Sequence, residues 1–273
     1  MQRRQLLQAA SLSLMSTAAM AQDKYPNPSK TILWICPYAA GGNADSRSRQ
    51  VAKAMGAILG QPIIIDNKAG AGGNIGTEAI ARGKPDGYTL GMGNFAPLAV
   101  NQALFKKLNF DPLHDLTPIC LIERGPLILM VRNDSPYKTV KDLVAAAKAS
   151  PGKLSYGSGG IGGSHHLSGA LFEHSAGIDM IHAPYKSGSA AATDLMGGQI
   201  DYMFLDSSTA LPLIRAGRLH PLAVSAATRS QAAPAVPTVA EAGLPGFEVT
   251  YWNAVYAPAG VAPDIVDKLA KLI

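Results

Sequence analysis

The sequence predicts an α/β fold of two lobes, each a mixed, mostly parallel sheet flanked by helices, with a two-strand hinge between them. Short apolar runs alternate with helix-period stretches from Lys30 onward, which is typical of βα units that build parallel sheets. Two similar blocks of these units meet near Arg124, and the chain beyond Thr228 returns to the first block. The chain therefore crosses twice between the two lobes. The 273 residues, 47% hydrophobic and 16% charged, supply apolar material for two cores and exclude a disordered chain.

The first lobe is predicted at residues 22–124 and 227–273, and the second lobe at residues 125–226. In the first lobe we expect strands at 31–36, 61–66 and 88–92 and a long helix at 44–59. In the second lobe we expect strands at 127–131, 154–156, 180–182, 200–205 and 219–225, and helices at 139–149, 165–175, 190–196 and 211–216.

Helix signals define the ends of two elements. Asn43 is the predicted N-cap of the first helix, and Gly60 is its predicted C-terminal stop. A last helix opens with Pro263 at its first position and continues to Ile273 without a stop signal. We therefore expect the sequence to lack a C-terminal portion of the first lobe.

The N-terminal segment predicts export. Arg3 and Arg4 precede an uncharged apolar stretch at 6–19, and residues 19–21 supply the small-x-small pattern of a signal peptidase site. The stretch of ~14 residues is shorter than the ~20 needed to span a bilayer. Residues 1–21 are thus predicted to be a cleaved signal peptide, and the arginine pair leaves both the general and the twin-arginine export routes open.

The two cysteines, Cys36 and Cys120, each lie in an apolar, strand-like run. This placement is typical of buried small hydrophobic residues. In an oxidising compartment a disulfide between them is the alternative, and the sequence leaves it open.

Three glycine-rich loops each follow a predicted strand and precede a predicted helix. They lie at 38–43, at 69–76 with Gly72 near its centre, and at 157–164. Bare N–H groups at a helix N-terminus form an anion site that the helix dipole favours. Tight turns need glycine for steric reasons alone, but three such loops together indicate a carboxylate or phosphate ligand.

Motifs for other functions are weak. Gly157, Gly159 and Gly162 match the G-x-G-x-x-G spacing of dinucleotide sites, with Asp179 downstream, but nicotinamide cofactors are scarce outside the cytoplasm. Ser164 precedes two histidines without a G-x-S-x-G elbow. The histidines lack metal-ligand spacing, and the net charge of +5 is not concentrated in a basic run. We expect no catalytic residue, no cofactor, no metal and no nucleic-acid partner; an exported Ser/His hydrolase or dinucleotide-dependent enzyme is the alternative.

Several side chains at strand and helix ends are further candidates for the site. Asp45 lies in the first turn of the first helix, where it either stabilises the helix dipole or binds an ammonium group. Asn94 ends the third strand, and Asp206 follows a strand at its carboxyl end, where open α/β sheets bind ligands. Tyr185 and Trp252 are either core aromatics or part of a cleft.

Six ordered blocks resemble the tripartite tricarboxylate transporter substrate-binding proteins, also called Bug receptors. The blocks lie at 37–45, 66–76, 85–90, 156–167, 182–186 and 194–201. The resemblance covers nearly the whole chain beyond residue 21. It implies a periplasmic solute receptor with a two-lobe periplasmic-binding-protein (type II) fold. Such a receptor closes on a small organic acid, whether a di- or tricarboxylate, an amino acid or an aromatic acid, and delivers it to membrane transporter subunits.

The resemblance also implies the ligand contacts. Family members hold the ligand carboxylate with backbone amides and waters from the loop after the first strand and from the glycine loop of the second lobe. Carried onto this chain, these contacts are Tyr38, Ala39, Gly41, Gly42 and Asp45 in the first lobe, and Ser158, Gly159, Ser164 and His165 in the second. Ala40 stands where the family commonly has proline, and Lys68-Ala69 replaces its commoner Arg-Pro.

Overall fold

Nine strands and eight α-helices make up the part of the chain that the computed structural model describes, residues 25–273. The strands are β1 (Ile32–Cys36), β2 (Ile63–Asn67), β3 (Thr89–Asn94), β4 (Leu116–Arg132), β5 (Ser155–Ser158), β6 (Ile181–Pro184), β7 (Tyr202–Asp206), β8 (Leu219–Val224) and β9 (Thr250–Pro258). The helices are α1 (Asn43–Leu59), α2 (Asn74–Ala81), α3 (Asn101–Leu104), α4 (Val140–Ala149), α5 (Ser164–Ala176), α6 (Gly188–Met196), α7 (Ser207–Arg215) and α8 (Pro263–Ala270). The predicted signal peptide lies outside these residues. Within them, no helix is both long enough and apolar enough to cross a membrane.

The strands form a mixed sheet in the order β2-β1-β3-β9-β4-β7-β5-β6, and β8 pairs with β4. Parallel pairing between strands joins β1 to β2 and β3 at one end and β5 to β6 and β7 at the other. The strands between them, β9 and β4, pair antiparallel with their neighbours. The alternation of strands and helices in the sequence predicts the two parallel groups, whereas the antiparallel centre carries no such signal.

The 17-residue strand β4 runs through both halves of the sheet. Its first part, from Leu116 to Pro126, pairs with β9, and its second part, from Leu127 onward, pairs with β7 and β8. The sequence predicts the second part as a strand, but in the first part it shows only a short strand-like run around Cys120, because register shifts near Pro118 and Leu121 interrupt the alternation of apolar and polar residues there. The predicted meeting point of the lobes near Arg124 therefore falls inside a strand.

Each half of the sheet has its own core. In β4, Leu127, Leu129 and Val131 face a cluster that contains Phe172, while the intervening Ile128 and Met130 face a second cluster on the opposite side. In the other half, residues of β1 alternate in the same way between two clusters. Burial on both faces explains why strands such as β1, β7 and the second part of β4 are almost uniformly apolar.

Two helix starts differ from the sequence prediction. Gly42, in extended conformation, is the N-cap of α1, and Asn43 is its first helical residue. Asn43 is not the cap because its side chain bonds to other elements instead. The helix α7 begins at Ser207 rather than at 211, because the side chain of Asp206 caps it. The predicted stop of α1 is confirmed, since Gly60 adopts a left-handed conformation with φ of 69°.

Both cysteines are free thiols. Cys36 is buried on β1, and Cys120 is half-buried on β4. Both pack in the same apolar cluster of the first half of the sheet. They thus act as small hydrophobic residues, and the alternative of a disulfide between them is not realised in the structure.

Candidate functional site

A cleft that encloses about 610 Å³, part of it open to solvent, is lined by residues from both halves of the sheet. The first half contributes the loop after β1, the end of β3 and part of β9, while the second half contributes the starts of α5, α6 and α7. The lining residues are Tyr38, Gly42, Asn43, Ala44, Asn94, Phe95, Gly159, Gly163, Ser164, His165, Ser187, Gly188, Asp206, Tyr251, Trp252 and Asn253.

The N-termini of α1 and α5 both lie at the cleft and share one feature. Their N-caps, Gly42 and Gly163, are extended glycines, and among residues 25–273 no side chain caps either helix. The first-turn residues Ala44 and His165 line the cleft. Uncapped N–H groups and two helix dipoles therefore favour an anion here, with one helix from each half of the sheet.

The other two helices that begin at the cleft are capped by side chains. Ser187 Oγ accepts the N–H of Ala190 at 3.2 Å in α6, and Asp206 accepts the N–H of Thr209 at 3.2 Å in α7. Their dipoles still favour negative charge in the cleft. They offer fewer free N–H donors to a ligand than α1 and α5 do.

Asp206 and His165 form a buried pair on the wall of the cleft. His165 Nδ1 accepts the N–H of Gly159 at 3.2 Å, so the ring proton lies on Nε2, which donates to Asp206 Oδ1 at 3.2 Å. Burial acts to raise the pKa of Asp206, but hydrogen bonds from His165, Thr209 and Ser208 outweigh it and hold the pKa below its ordinary value. The carboxylate stays charged and its oxygens are occupied by internal donors.

A chain of side-chain hydrogen bonds ties α1 to β9, β4 and α7. Asn253 Nδ2 donates to Asn43 Oδ1 at 2.6 Å and to Glu123 Oε1 at 2.7 Å. Asn43 Nδ2 in turn donates to Ser208 Oγ at 2.6 Å, and Arg47 Nε donates to Glu123 Oε2 at 2.7 Å. The sequence carries no signal for these bonds, because the bonded residues are 76 to 210 positions apart and share no motif.

Asp45 holds the loop after β1 in place. It is 3% exposed and accepts hydrogen bonds from the Gly41 N–H, Arg49 Nε and Asn67 Nδ2 at 2.9–3.0 Å. Burial acts to raise the pKa of Asp45, but the bonds from Arg49, Gly41 and Asn67 outweigh it and lower the pKa. Asp45 lies outside the cleft lining, so its carboxylate is not placed to meet an ammonium group of a ligand there.

The second glycine loop contacts the third rather than facing the cleft. A Cβ atom at Gly72 would lie 2.7 Å from the carbonyl oxygen of Ile161, and one at Gly162 would lie 2.4 Å from Asn101 Oδ1. Both glycines have positive φ. These glycines therefore allow two loops from opposite halves of the sheet to pack together, which is the steric role of glycine rather than an anion site.

Ser158 is fully buried beneath the third loop. Its Oγ accepts the N–H of Gly160 at 3.2 Å and bonds to His182 Nε2 at 2.7 Å. The His182 ring stacks between the rings of Tyr156 and His166. Within residues 25–273 no carboxylate is bonded to His182, and Ser164 Oγ bonds to no histidine, so neither serine has the geometry of an activated nucleophile.

The structure brings about half of the predicted site residues to the cleft. Those that line it are Tyr38, Gly42, Asn94, Gly159, Ser164, His165, Asp206 and the further candidate Trp252. Ala39, Gly41, Asp45, Gly72, Ser158 and Tyr185 lie outside the lining. Tyr185 packs beside Gly157 and donates to Asp194 Oδ2 at 2.8 Å. Sequence patterns do not predict Phe95, Ser187 and Tyr251, whose only signal is their position next to a strand or helix end.

Comparison with known proteins identifies similar chains. Residues 48–273 match the model of the tripartite tricarboxylate transporter family receptor. The protein BugT of Bordetella pertussis (strain Tohama I) is 37% identical over 257 residues, which cover 94% of this chain and 78% of BugT.

Solved structures agree with this match. A protein of R. palustris with adipate has a TM-score of 0.87 and 34% identity, with 90% of this chain and 82% of that chain covered. The periplasmic binding protein BugD has a TM-score of 0.85 and 34% identity over the same shares of the two chains.

We predict that His182 stays neutral well into the acidic range. Burial, with His166 acting in the same direction, lowers the pKa of His182 from 6.5 to about 4. Between these two pH values the unfolded chain binds more protons than the folded protein does. The free energy of unfolding therefore rises with pH from about 4 to 6.5, and the contribution of neutral His182 is lost as the pH falls through this window. An NMR titration measures the pKa, and exposed His114, whose pKa Asp111 raises, is the internal control. Titration of His182 at or above 6.5 would contradict this prediction.

Proposed function

The chain belongs to the tripartite tricarboxylate transporter receptor family, and from this premise we propose that it captures a small organic carboxylate in the cleft. The family is one of periplasmic solute-binding receptors, and the fold is the two-lobe type II fold of periplasmic binding proteins. Adipate is bound by a similar protein of R. palustris, which supports a carboxylate as the ligand class.

The pair of uncapped helix N-termini is the main support for this proposal. The N–H groups in the first turns of α1 and α5 lie at the cleft without a side-chain acceptor among the described residues. A ligand carboxylate has two oxygens and a negative charge, so one group can cap both helices. Because α1 and α5 belong to opposite halves of the sheet, such a ligand holds the halves together.

We propose two lobes, one at residues 25–126 with 250–273 and the other at residues 127–249. The support is the change of pairing partner in β4, from β9 to β7 and β8, between Pro126 and Leu127. The expected boundary between 226 and 227 moves to the start of β9, because Val236, Val239 and Phe247 pack in the cores of the second half of the sheet. The second connection lies between Val249, whose N–H bonds to the Ser225 carbonyl oxygen in the second half, and Thr250, where β9 begins. Bending at these two places lets the lobes open and close around the cleft, as hinges do in this class of receptor.

Contacts across the cleft correspond to the closed arrangement. A Cβ atom at Gly42 would lie 3.5 Å from Ser187 Cβ, and Asn43 bonds to Ser208 of the opposite lobe. The contact of Gly72 with Ile161 joins the lobes at a second place. We propose that the ligand shifts the lobes toward this arrangement by capping α1 and α5 together.

Export, delivery and the absence of catalysis complete the proposal. We propose that residues 1–21 are a signal peptide that directs the protein to the periplasm, and that the closed receptor delivers its ligand to membrane subunits of a transporter. The receptor works without a cofactor and without catalysis. Support comes from the receptor family and from Ser158 and Ser164, which lack the geometry of nucleophiles in the described part of the chain.

Calorimetry of the purified protein with adipate, citrate and benzoate tests this function. We expect saturable binding of at least one of these acids and none of adipamide, which has no carboxylate. A bound acid raises the unfolding temperature, because a ligand at 100 times its Kd stabilises the folded state by ~2.7 kcal/mol. Absence of binding by all three acids, or equal binding of adipamide, would contradict the proposal.

A proline variant tests the N–H of Ser164, the first residue of α5. Gly163 before it is extended, with φ of −71° and ψ of 166°, so proline is tolerated at position 164. Ser164→Pro removes the N–H and should cost ~1.5–3 kcal/mol of binding, roughly tenfold or more in Kd. Ser164→Ala is the matched control, which keeps the N–H and loses only the hydroxyl. If calorimetry finds that Ser164→Pro binds no more weakly than Ser164→Ala, this N–H does not belong to the site.

An alanine variant of Gly72 tests lobe closure. Gly72→Ala puts a Cβ atom 2.7 Å from Ile161 O in the closed arrangement only, so it penalises closure and should raise Kd roughly tenfold, as overpacking costs ~1–3 kcal/mol. The control is Gly177→Ala, which also places alanine at positive φ but has no heavy atom within 4 Å. Equal Kd values for the two variants, measured by calorimetry, would show that the contact between Gly72 and Ile161 has no part in closure.

A further inference from the structure

We propose that the ligand is an aromatic monocarboxylate, with its carboxylate at the N-termini of α1 and α5 and its ring against Phe95 and Trp252. This inference rests on the proposed function and narrows the class of acid that the cleft accepts. Three features of the lining support it: the aromatic side chains, the absence of a cation from the described lining, and the internal bonding of the polar groups.

Aromatic side chains form the wall that the first lobe presents to the cleft. Tyr38 follows β1, Phe95 follows β3, and Tyr251 and Trp252 belong to β9. Phe95 and Trp252 are only half-buried, so part of their ring surface is available to a ligand. Aromatic rings attract one another in edge-to-face and offset-stacked arrangements beyond the effect of area burial, which favours an aromatic ligand over an aliphatic one.

A second carboxylate would find no cation in the cleft. Within residues 25–273, neither lysine nor arginine lines it. The two arginines near the start of α1 are paired elsewhere, Arg47 with Glu123 at 2.7 Å and Arg49 with Asp45 at 3.0 Å. The helix N-termini therefore provide the positive potential. One ligand carboxylate is enough to accept from the uncapped N-termini of both α1 and α5.

Within residues 25–273, most polar side chains of the lining are bonded within the protein; Ser164 Oγ and Asn94 Nδ2 are not. Asn43 and Asn253 use their amide groups within the chain of bonds that joins α1 to β9, and His165 uses both ring nitrogens. Asp206 adds a buried negative charge to the wall. A second carboxylate would be repelled by Asp206, and the side-chain donors left for it include Ser164 Oγ and the Asn94 amide.

The same bonding disfavours an amino acid. An ammonium group needs an acceptor, and the one carboxylate in the described lining is that of Asp206. Asp206 already accepts from His165, from Ser208 and from both the N–H and the hydroxyl of Thr209. A neutral aromatic ring packs against the aromatic side chains of the cleft and needs no hydrogen-bond acceptor.

Calorimetry with benzoate, hexanoate and adipate tests this inference. Benzoate carries one carboxylate and a ring, hexanoate carries one carboxylate and a chain, and adipate carries two carboxylates. We expect benzoate to bind at least ten times more tightly than adipate, with hexanoate between them. Adipate binding as tightly as benzoate would overturn the inference and leave the proposed function standing. Binding of citrate alone would also overturn the inference, whereas no binding of these three acids or of citrate would remove the proposed function itself.

Variants of Trp252 test the role of the wall. Trp252→Ala should raise the Kd of benzoate at least tenfold and that of hexanoate less, while Trp252→Phe should change the Kd of benzoate less than threefold. The chain has two tryptophans, and the other, Trp34, is fully buried. A benzoate-induced change in tryptophan fluorescence should therefore disappear in Trp252→Phe. Unchanged affinity in Trp252→Ala, or a fluorescence change that persists in Trp252→Phe, would overturn the inference, and the second readout serves if the alanine variant fails to fold.

Discussion

The uncapped N-termini of α1 and α5 determine how the cleft is built. Each helix begins with N–H groups that have no helical acceptor, and a buried donor without a partner costs ~1–3 kcal/mol. Three other helices of the described chain solve this problem with side chains: Ser187 caps α6, Asp206 caps α7, and Thr139 with Asp142 forms a capping box on α4. At Gly42 and Gly163 the cap has no side chain, so water or a ligand must supply the acceptor.

The polar side chains around these helix starts hold the helices in position and are not the main contacts to the ligand. Asp45 binds the backbone of Gly41, and Asn43 bonds across the cleft to Ser208. His165 links the Gly159 N–H to Asp206. Because these groups are satisfied internally, the free donors left at the cleft include backbone N–H groups, Ser164 Oγ and Asn94 Nδ2. Much of the surface that remains for selectivity is aromatic.

Sequence patterns predict the strand ends and the loops that follow them, because glycine, N-cap chemistry and apolar periodicity are local signals. They therefore place Gly42, Ser164 and His165 near one cleft. They do not distinguish a glycine that exposes an N–H group from one that permits close packing, which is why Gly72 is predicted at the ligand and lies against Ile161 instead. They also miss the bond from Asn253 to Glu123, since residues 130 positions apart leave no local pattern. In the first part of β4 they indicate only a short run around Cys120, because bulges disturb the alternation there.

A ligand whose carboxylate caps α1 and α5 together would explain the bare glycine caps, and its aromatic ring would explain the aromatic side chains of the cleft. Titration of the isotope-labelled protein with benzoate, followed by backbone amide NMR, is the decisive experiment. We expect the amide resonances of Ala44 in α1 and of Ser164 and His165 in α5 to shift with one common Kd, since all three line the cleft at the uncapped helix ends. Shifts confined to one of the two helices, or absent from both while benzoate binds elsewhere, would contradict shared capping by one ligand.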